Sequence, residues 1–269
     1  MTSLDAQFAG SIPEIYDRYL GPVIFQPYAD DLAARLADTQ ASSVLETAAG
    51  TGIATRAILK ALPADASVTA TDLNQPMVDY AAKNTRSSRV TWRRADAAAL
   101  PFGDGAFDSV VCQFGVMFFP EKRAAYRETL RVLKPGGRFV FNVWGPIGQN
   151  DFADIVTNAV AALFPNDPPR FFARIPHGYY DKDVIRGDLY AAGFSSVAIG
   201  TVEHAGRAAS ARHAATGFCQ GTPLRNEIEA RDPSRLTEAT DAAAAALAER
   251  FGEGPITGGL QALIIEATK

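Results

Sequence analysis

Apolar positions along the chain change period again and again, from continuous short runs to helical spacing and back. The stretch VLETAAGTGIAT, residues 44–55, starts apolar, breaks into small residues and then resumes as a helix. Residues 43–48 predict a buried strand, and 53–62 a helix stopped by Pro63. SVTATD (67–72) predicts a second strand, followed by a helix that Asn74 and Pro76 start. RVTWRRA (89–95) alternates as a third strand. FDSVVCQF (107–114) is continuously apolar, as expected of a strand covered on both faces. Tyr126, Leu130 and Leu133 mark one face of a helix that ends at KPGG, and RFVFNVW (138–144) is strand five. Such alternation predicts an α/β fold with a doubly wound, mostly parallel sheet.

Flanking segments extend the pattern. Tyr28, Leu32 and Leu36 predict an amphipathic helix before the core, and Phe152, Ile155, Ala159 and Leu163 another after it. DKDVIRGDLYAAGF predicts a helix ending at Gly193, SSVAIGTVE strand six, and LQALIIEAT (260–268) the last strand. The helical stretch between these strands, residues 208–254, exceeds the roughly 12–15 residues of an ordinary long connection and predicts an inserted cap. The whole chain, 1–269, reads as one domain with its core at 41–145.

The small residues inside the first strand–helix turn call for a ligand. Gly50 and Gly52 remove Cβ atoms, so the backbone can be approached, and the following helix offers free N–H groups. A dinucleotide fingerprint needs a third glycine; the series from Gly50 runs Gly, Thr, Gly, Ile, Ala, Thr. Asp72 ends the second strand, where a carboxylate can accept both hydroxyls of a ribose. Asp96 ends the third, where its carboxylate and the N–H of Ala97 can meet an adenine edge. Three such features at three successive strand ends predict a nucleoside crevice.

Composition narrows the partners. Hydrophobic residues are 47% and charged residues 21%, with net charge −4 and no basic block, which argues against nucleic acid. Cys112 and Cys219 lie far apart without metal-type spacing, as reduced thiols do. No apolar run approaches the roughly 18 residues of a membrane span. MTSLDAQFAG lacks the regions of a signal peptide. A soluble, cytoplasmic protein is the expectation.

Together, VLETAAGTG, VTATDLNQPMVDYA, RADAAALPF, FDSVVCQFGVMFFP and RVLKPGGRFVFNVW resemble the class I S-adenosylmethionine-dependent methyltransferases. Among these they are similar to the small-molecule group that includes quinone-biosynthesis enzymes (types 11 and 25), over residues 16–144. The resemblance implies a Rossmann-like seven-stranded sheet with strand seven antiparallel, and S-adenosyl-L-methionine as cofactor. It implies that Glu46, Ala48, Gly50 and Gly52 surround the amino-acid end of the cofactor. Asp72 would bind the ribose, Leu73 and Met77 pack the adenine, and Asp96 and Ala97 contact its edge. Gln113 and Phe114 would sit beside the sulfonium. It also implies an N-terminal helical lid, residues 1–40, with Tyr16 touching the cofactor. Two positions depart from the family pattern: Glu stands for Asp at 46, and Ala for the first Gly at 48. Affinity should be tuned by them, not abolished.

A sulfonium methyl is already electrophilic, so the protein's task is alignment and exclusion of water. A base helps when the acceptor arrives protonated. Of the three histidines, His177 in RIPHGYYDKD is the first candidate and His213 in the cap the second; His204 lies on strand six. No metal is called for: the metal-dependent catechol type needs clustered acids after strand four, and CQFGVMFFP has none. Aromatics in IYDRYLGPVIF, GVMFF and RFFARIP predict an apolar pocket for a planar or lipophilic acceptor, methylated on O, N or C. NDPPR (166–170) approaches the D-P-P-Y signature of base methylation but follows strand five and lacks the stacking aromatic. A non-catalytic binding module and a nicotinamide-dependent oxidoreductase are the alternatives; Asp96 and the missing glycine count against the second.

Overall fold

The sheet is built from seven strands in the order β3-β2-β1-β4-β5-β7-β6. In the computed structural model, which describes Asp5, Phe8 and residues 10–37 and 39–269, these are β1 Ser43–Glu46, β2 Ser67–Asp72, β3 Val90–Arg94, β4 Phe107–Gln113, β5 Leu133–Trp144, β6 Ser196–Ala208 and β7 Ile256–Thr268. The first five pair in parallel, and β7 runs antiparallel to both β5 and β6. Strand order reverses at β1/β4, where an open parallel sheet leaves a crevice beyond its carboxyl ends. Val110, Val111 and Cys112 of β4 are wholly buried, so its continuous apolar run does reflect cover on both faces.

Helices cover the faces. Ahead of the sheet lie α1 Ile12–Ile15, a π-helical segment Tyr16–Phe25, and α2 Gln26–Ala37. The wide segment contains Pro22, which has no N–H to give to a tighter ladder. α3 Ile53–Ala61, α4 Gln75–Asn84 and α5 Lys122–Val132 are the crossovers, followed by α6 Asp151–Leu163, α7 Phe171–Arg174 and α8 Lys182–Ala192. Three helices, α9 Ala211–Gln220, α10 Leu224–Arg231 and α11 Leu236–Phe251, fill the connection between β6 and β7. Among the described residues, no helix is long and apolar enough to cross a membrane.

Several boundaries differ from the sequence pattern, each for a local reason. β1 and β4 stop short because Ala48 (φ +52°) and Phe114 (φ +49°) turn left-handed, carrying the chain out of the sheet. KPGG belongs to β5 and not to a helix end: a register shift between Phe107 and Ser109 lets the strand begin at Leu133. β6 continues to Ala208, paired with Ile256 of β7, so the cap starts at α9. Part of the expected lid, residues 1–4, 6, 7, 9 and 38, lies outside the described residues.

Candidate functional site

The crevice beyond β1, β2, β3 and β4 has an empty volume of about 960 Å³, including its open mouth. Its floor is the turn after β1, where Ala48, Gly50 (φ +56°) and Gly52 (φ +81°) are all left-handed. A Cβ on Gly50 would meet no atom of the described residues within 4 Å, so the turn faces open space there. Gly115 makes room for the methyl of Ala48: a Cβ on Gly115 would lie 2.4 Å from the Ala48 Cβ.

Asp72 joins this turn to the next helix. One carboxylate oxygen accepts the Gly50 N–H at 2.9 Å, the other the Asn74 N–H at 2.8 Å. Burial raises its pKa, against these bonds. Leu73 and Met77 form one wall, and Asp96 and Ala97 another. An Asp96 oxygen accepts the Ala98 N–H at 2.8 Å, which fixes the loop around it. Gln113 donates to the Phe25 carbonyl at 3.4 Å, while its buried Oε1 has no hydrogen-bond partner among the described residues.

Two of the expected cofactor residues do not reach this space. Glu46 is buried behind the turn, where the Thr55 hydroxyl donates to its Oε2 at 2.5 Å. Burial pushes its pKa up to about 8. Gly52 faces Trp92 and Ala81, with only 3.0 Å between its would-be Cβ and the Trp92 ring. Both shape the turn from beneath it.

Tyr16 heads the π-helical segment and stacks on Phe25 with centroids 4.6 Å apart. Its neighbour Asp17 is bonded to Arg56 of α3 at 2.9 Å, which ties the segment to the core. Burial, with the charge of Asp72 nearby, raises the Tyr16 pKa, so its hydroxyl keeps its proton.

Tyr16, Phe114 and Phe118 also line a second space of about 570 Å³, again counting its mouth. Phe25, Trp144, Phe171, Phe172 and Phe218 make this chamber aromatic, and no charged side chain is among its described lining. Its polar residues are mostly committed elsewhere. Asn150 donates to Pro146 and Gln261 carbonyls, and Thr222 to the Phe218 carbonyl. The exceptions, with no partner for the free group among the described residues, are the Tyr16 hydroxyl and His177. Its Nδ1 is 2.8 Å from the Gly145 carbonyl oxygen, which can only accept; Nδ1 therefore carries the hydrogen and Nε2 a lone pair. Burial lowers its pKa to about 4, so the ring is neutral.

His213 is not brought to the chamber. It lies on the first turn of α9, edge-on to Tyr19 at 4.7 Å, with its buried Nε2 unpartnered among the described residues. His204 packs edge-on against Tyr28. Sequence pattern singles out neither Trp144 nor Asn142 of RFVFNVW. The available signal was one polar residue inside an apolar strand.

Comparisons with known proteins agree with this geometry. Residues 45–141 match the family model described as "Methyltransferase domain". The ubiquinone/menaquinone biosynthesis C-methyltransferase UbiE of Escherichia fergusonii is 30% identical over 168 residues, 58% of this chain and 67% of that protein. Among solved structures, YcgJ of Bacillus subtilis aligns with a TM-score of 0.56 at 21% identity, over 90% of this chain and 98% of that one. The [4+2]-cyclase SpnF aligns at 0.53 and 21% identity, over 92% and 84%. At these identities the two structures bear on the fold alone.

Proposed function

The chain belongs to the class I S-adenosylmethionine-dependent methyltransferases acting on small molecules, and from that premise we propose that its crevice takes the cofactor and its chamber an uncharged, largely apolar acceptor with one acidic proton. The crevice fits the cofactor. Asp72 offers carboxylate lone pairs at a strand end, Gly50 leaves its backbone approachable, and the unpartnered Gln113 Oε1 awaits a donor or an electron-poor centre. When bound, S-adenosylmethionine supplies an electrophilic methyl group on sulfur.

The wall shared by the two spaces carries this proposal, together with the open Nε2 of His177 in the chamber. A charged acceptor would lose its hydration there without gaining a partner. The aromatic lining excludes water and holds a ring by its faces. His177 Nε2 accepts the acceptor's hydrogen bond, and the Gly145 carbonyl keeps the imidazole in that tautomer. A base with a pKa of about 4 suffices, because the acceptor atom turns strongly acidic as its new bond to carbon forms. A relative named for C-methylation in quinone biosynthesis supports a ring acceptor.

Incubation with cofactor carrying a radiolabelled methyl and a panel of phenols, hydroquinones, amines and carboxylates tests this. Label is expected in the uncharged ring compounds. Label in polar amines or carboxylates only would overturn it, and binding without any transfer would favour a non-catalytic module.

A further inference from the structure

Asn142 is fully buried in the apolar middle of β5, between Phe141 and Val143. Its Oδ1 accepts the backbone N–H of Phe114 at 2.8 Å, and its Nδ2 has no hydrogen-bond partner among the described residues. A buried amide that uses only its carbonyl is a costly filler for a position an aliphatic side chain would satisfy. What it holds explains the choice.

Phe114 follows Gln113, which pairs in register with Asn142 across β4 and β5. At φ +49° it is a bulky residue in a region few residues other than glycine occupy, and such conformations persist only where their surroundings enforce them. Its ring lies flat on Trp144, centroids 3.8 Å apart and planes 6° from parallel. One strand end thus supplies the backbone anchor from Asn142, the ring partner from Trp144, and the Gly145 carbonyl that fixes His177. Phe114 belongs to the walls of both crevice and chamber.

We propose that Asn142 is a positioning residue: by holding the Phe114 N–H it keeps Phe114 left-handed and flat on Trp144, and so sets the partition between cofactor and acceptor. The proposal rests on the two-chamber function above. Without the anchor, Phe114 relaxes to an extended backbone and its ring leaves the partition.

Two measurements test it. In calorimetric titrations with S-adenosylhomocysteine, Asn142→Ala should weaken binding about tenfold. Asn142→Asp, whose carboxyl burial keeps protonated, should restore it to within about twofold, since its carbonyl oxygen accepts the same bond. In a denaturation cycle, Asn142→Ala should destabilise the natural chain but barely affect a Phe114→Gly background, because glycine adopts positive φ unaided. Unchanged nucleoside affinity in Asn142→Ala would overturn the proposal, as would failure of Asn142→Asp to rescue, or equal destabilisation in both backgrounds. If Asn142→Ala alone does not fold, recovery in the double variant supports the proposal and continued failure overturns it. Absence of binding by the natural chain would instead sink the parent function, and the denaturation cycle would still decide the role of Asn142.

Discussion

The crevice and the chamber share Tyr16, Phe114 and Phe118 but are built on opposite plans. Most crevice walls come from strand ends and the turns directly after them: Ala48 and Gly50 after β1, Asp72 at the end of β2, Asp96 after β3 and Gln113 at the end of β4. Its polar groups are backbone N–H donors and carboxylates that brace one another, as Gly50 and Asp72 do. Chamber walls come from segments remote in sequence, including the π-helical segment, α7 and α9 of the cap. There most polar groups are tied off, and among the described residues the Tyr16 hydroxyl and one imidazole nitrogen stay open. The contrast teaches a division of labour. A nucleoside needs directed hydrogen bonds from a fixed frame, whereas an apolar acceptor needs shape and dryness, which side chains from any element can supply.

Removing the open imidazole should break this contrast most sharply. His177→Ala is expected to lower turnover by about 10²- to 10⁴-fold while leaving S-adenosylhomocysteine affinity unchanged. His213→Ala, outside the chamber, should leave turnover unchanged; radiolabel kinetics beside calorimetry would separate the two.

The same imidazole links the chamber to pH. Burial lowers the His177 pKa from 6.5 to about 4, so the unfolded chain binds the extra proton first as pH falls. Its contribution is fully present above pH 6.5 and is lost on acidification through that window, by about 3 kcal/mol. Denaturant titrations from pH 7 to pH 4 should show this loss in the natural chain and a shallower one in His177→Phe.

On the crevice side, Asp72→Ala should weaken S-adenosylhomocysteine about 10- to 100-fold, through lost ligand contacts and a slackened Gly50 turn. The calorimetric measurement that shows His177→Ala silent should show this change large.

Glu46 has the opposite sign and, over the pH 6.5–8 window where it can be isolated, the smallest effect, about 2 kcal/mol. Its folded pKa is raised from 4.5 to about 8, so its contribution is full below pH 4.5 and is lost as pH rises through 8. Above pH 6.5 the His177 contribution is already complete, which isolates this slope. Thermal melts between pH 6.5 and 8 should fall in the natural chain and flatten in Glu46→Gln, which keeps an oxygen for the Thr55 hydroxyl.

How much was legible follows from distance along the chain. Gly50, Asp72 and Asp96 could be placed in one crevice because parallel strands bring their ends together regardless of side-chain detail. Glu46 and Gly52 fall in the same motif yet lie behind the turn, the first bonded to the Thr55 hydroxyl and the second packed under Trp92 and Ala81. His177 and His213 look alike in sequence. Only packing puts the first against the Gly145 carbonyl and the second against Tyr19.

Local spacing of apolar, small and acidic residues by itself determined the α/β sheet and the meeting of Gly50, Asp72 and Asp96 in one crevice at its strand ends, and the family resemblance added the strand that runs backwards. These depend on hydrogen-bond periodicity and chain direction, which short segments encode. Tertiary structure decided the chamber, the open imidazole, and the Phe114 wall with its Asn142 anchor. Each of those is a contact between residues far apart in the chain, and exists only once the sheet has brought them side by side.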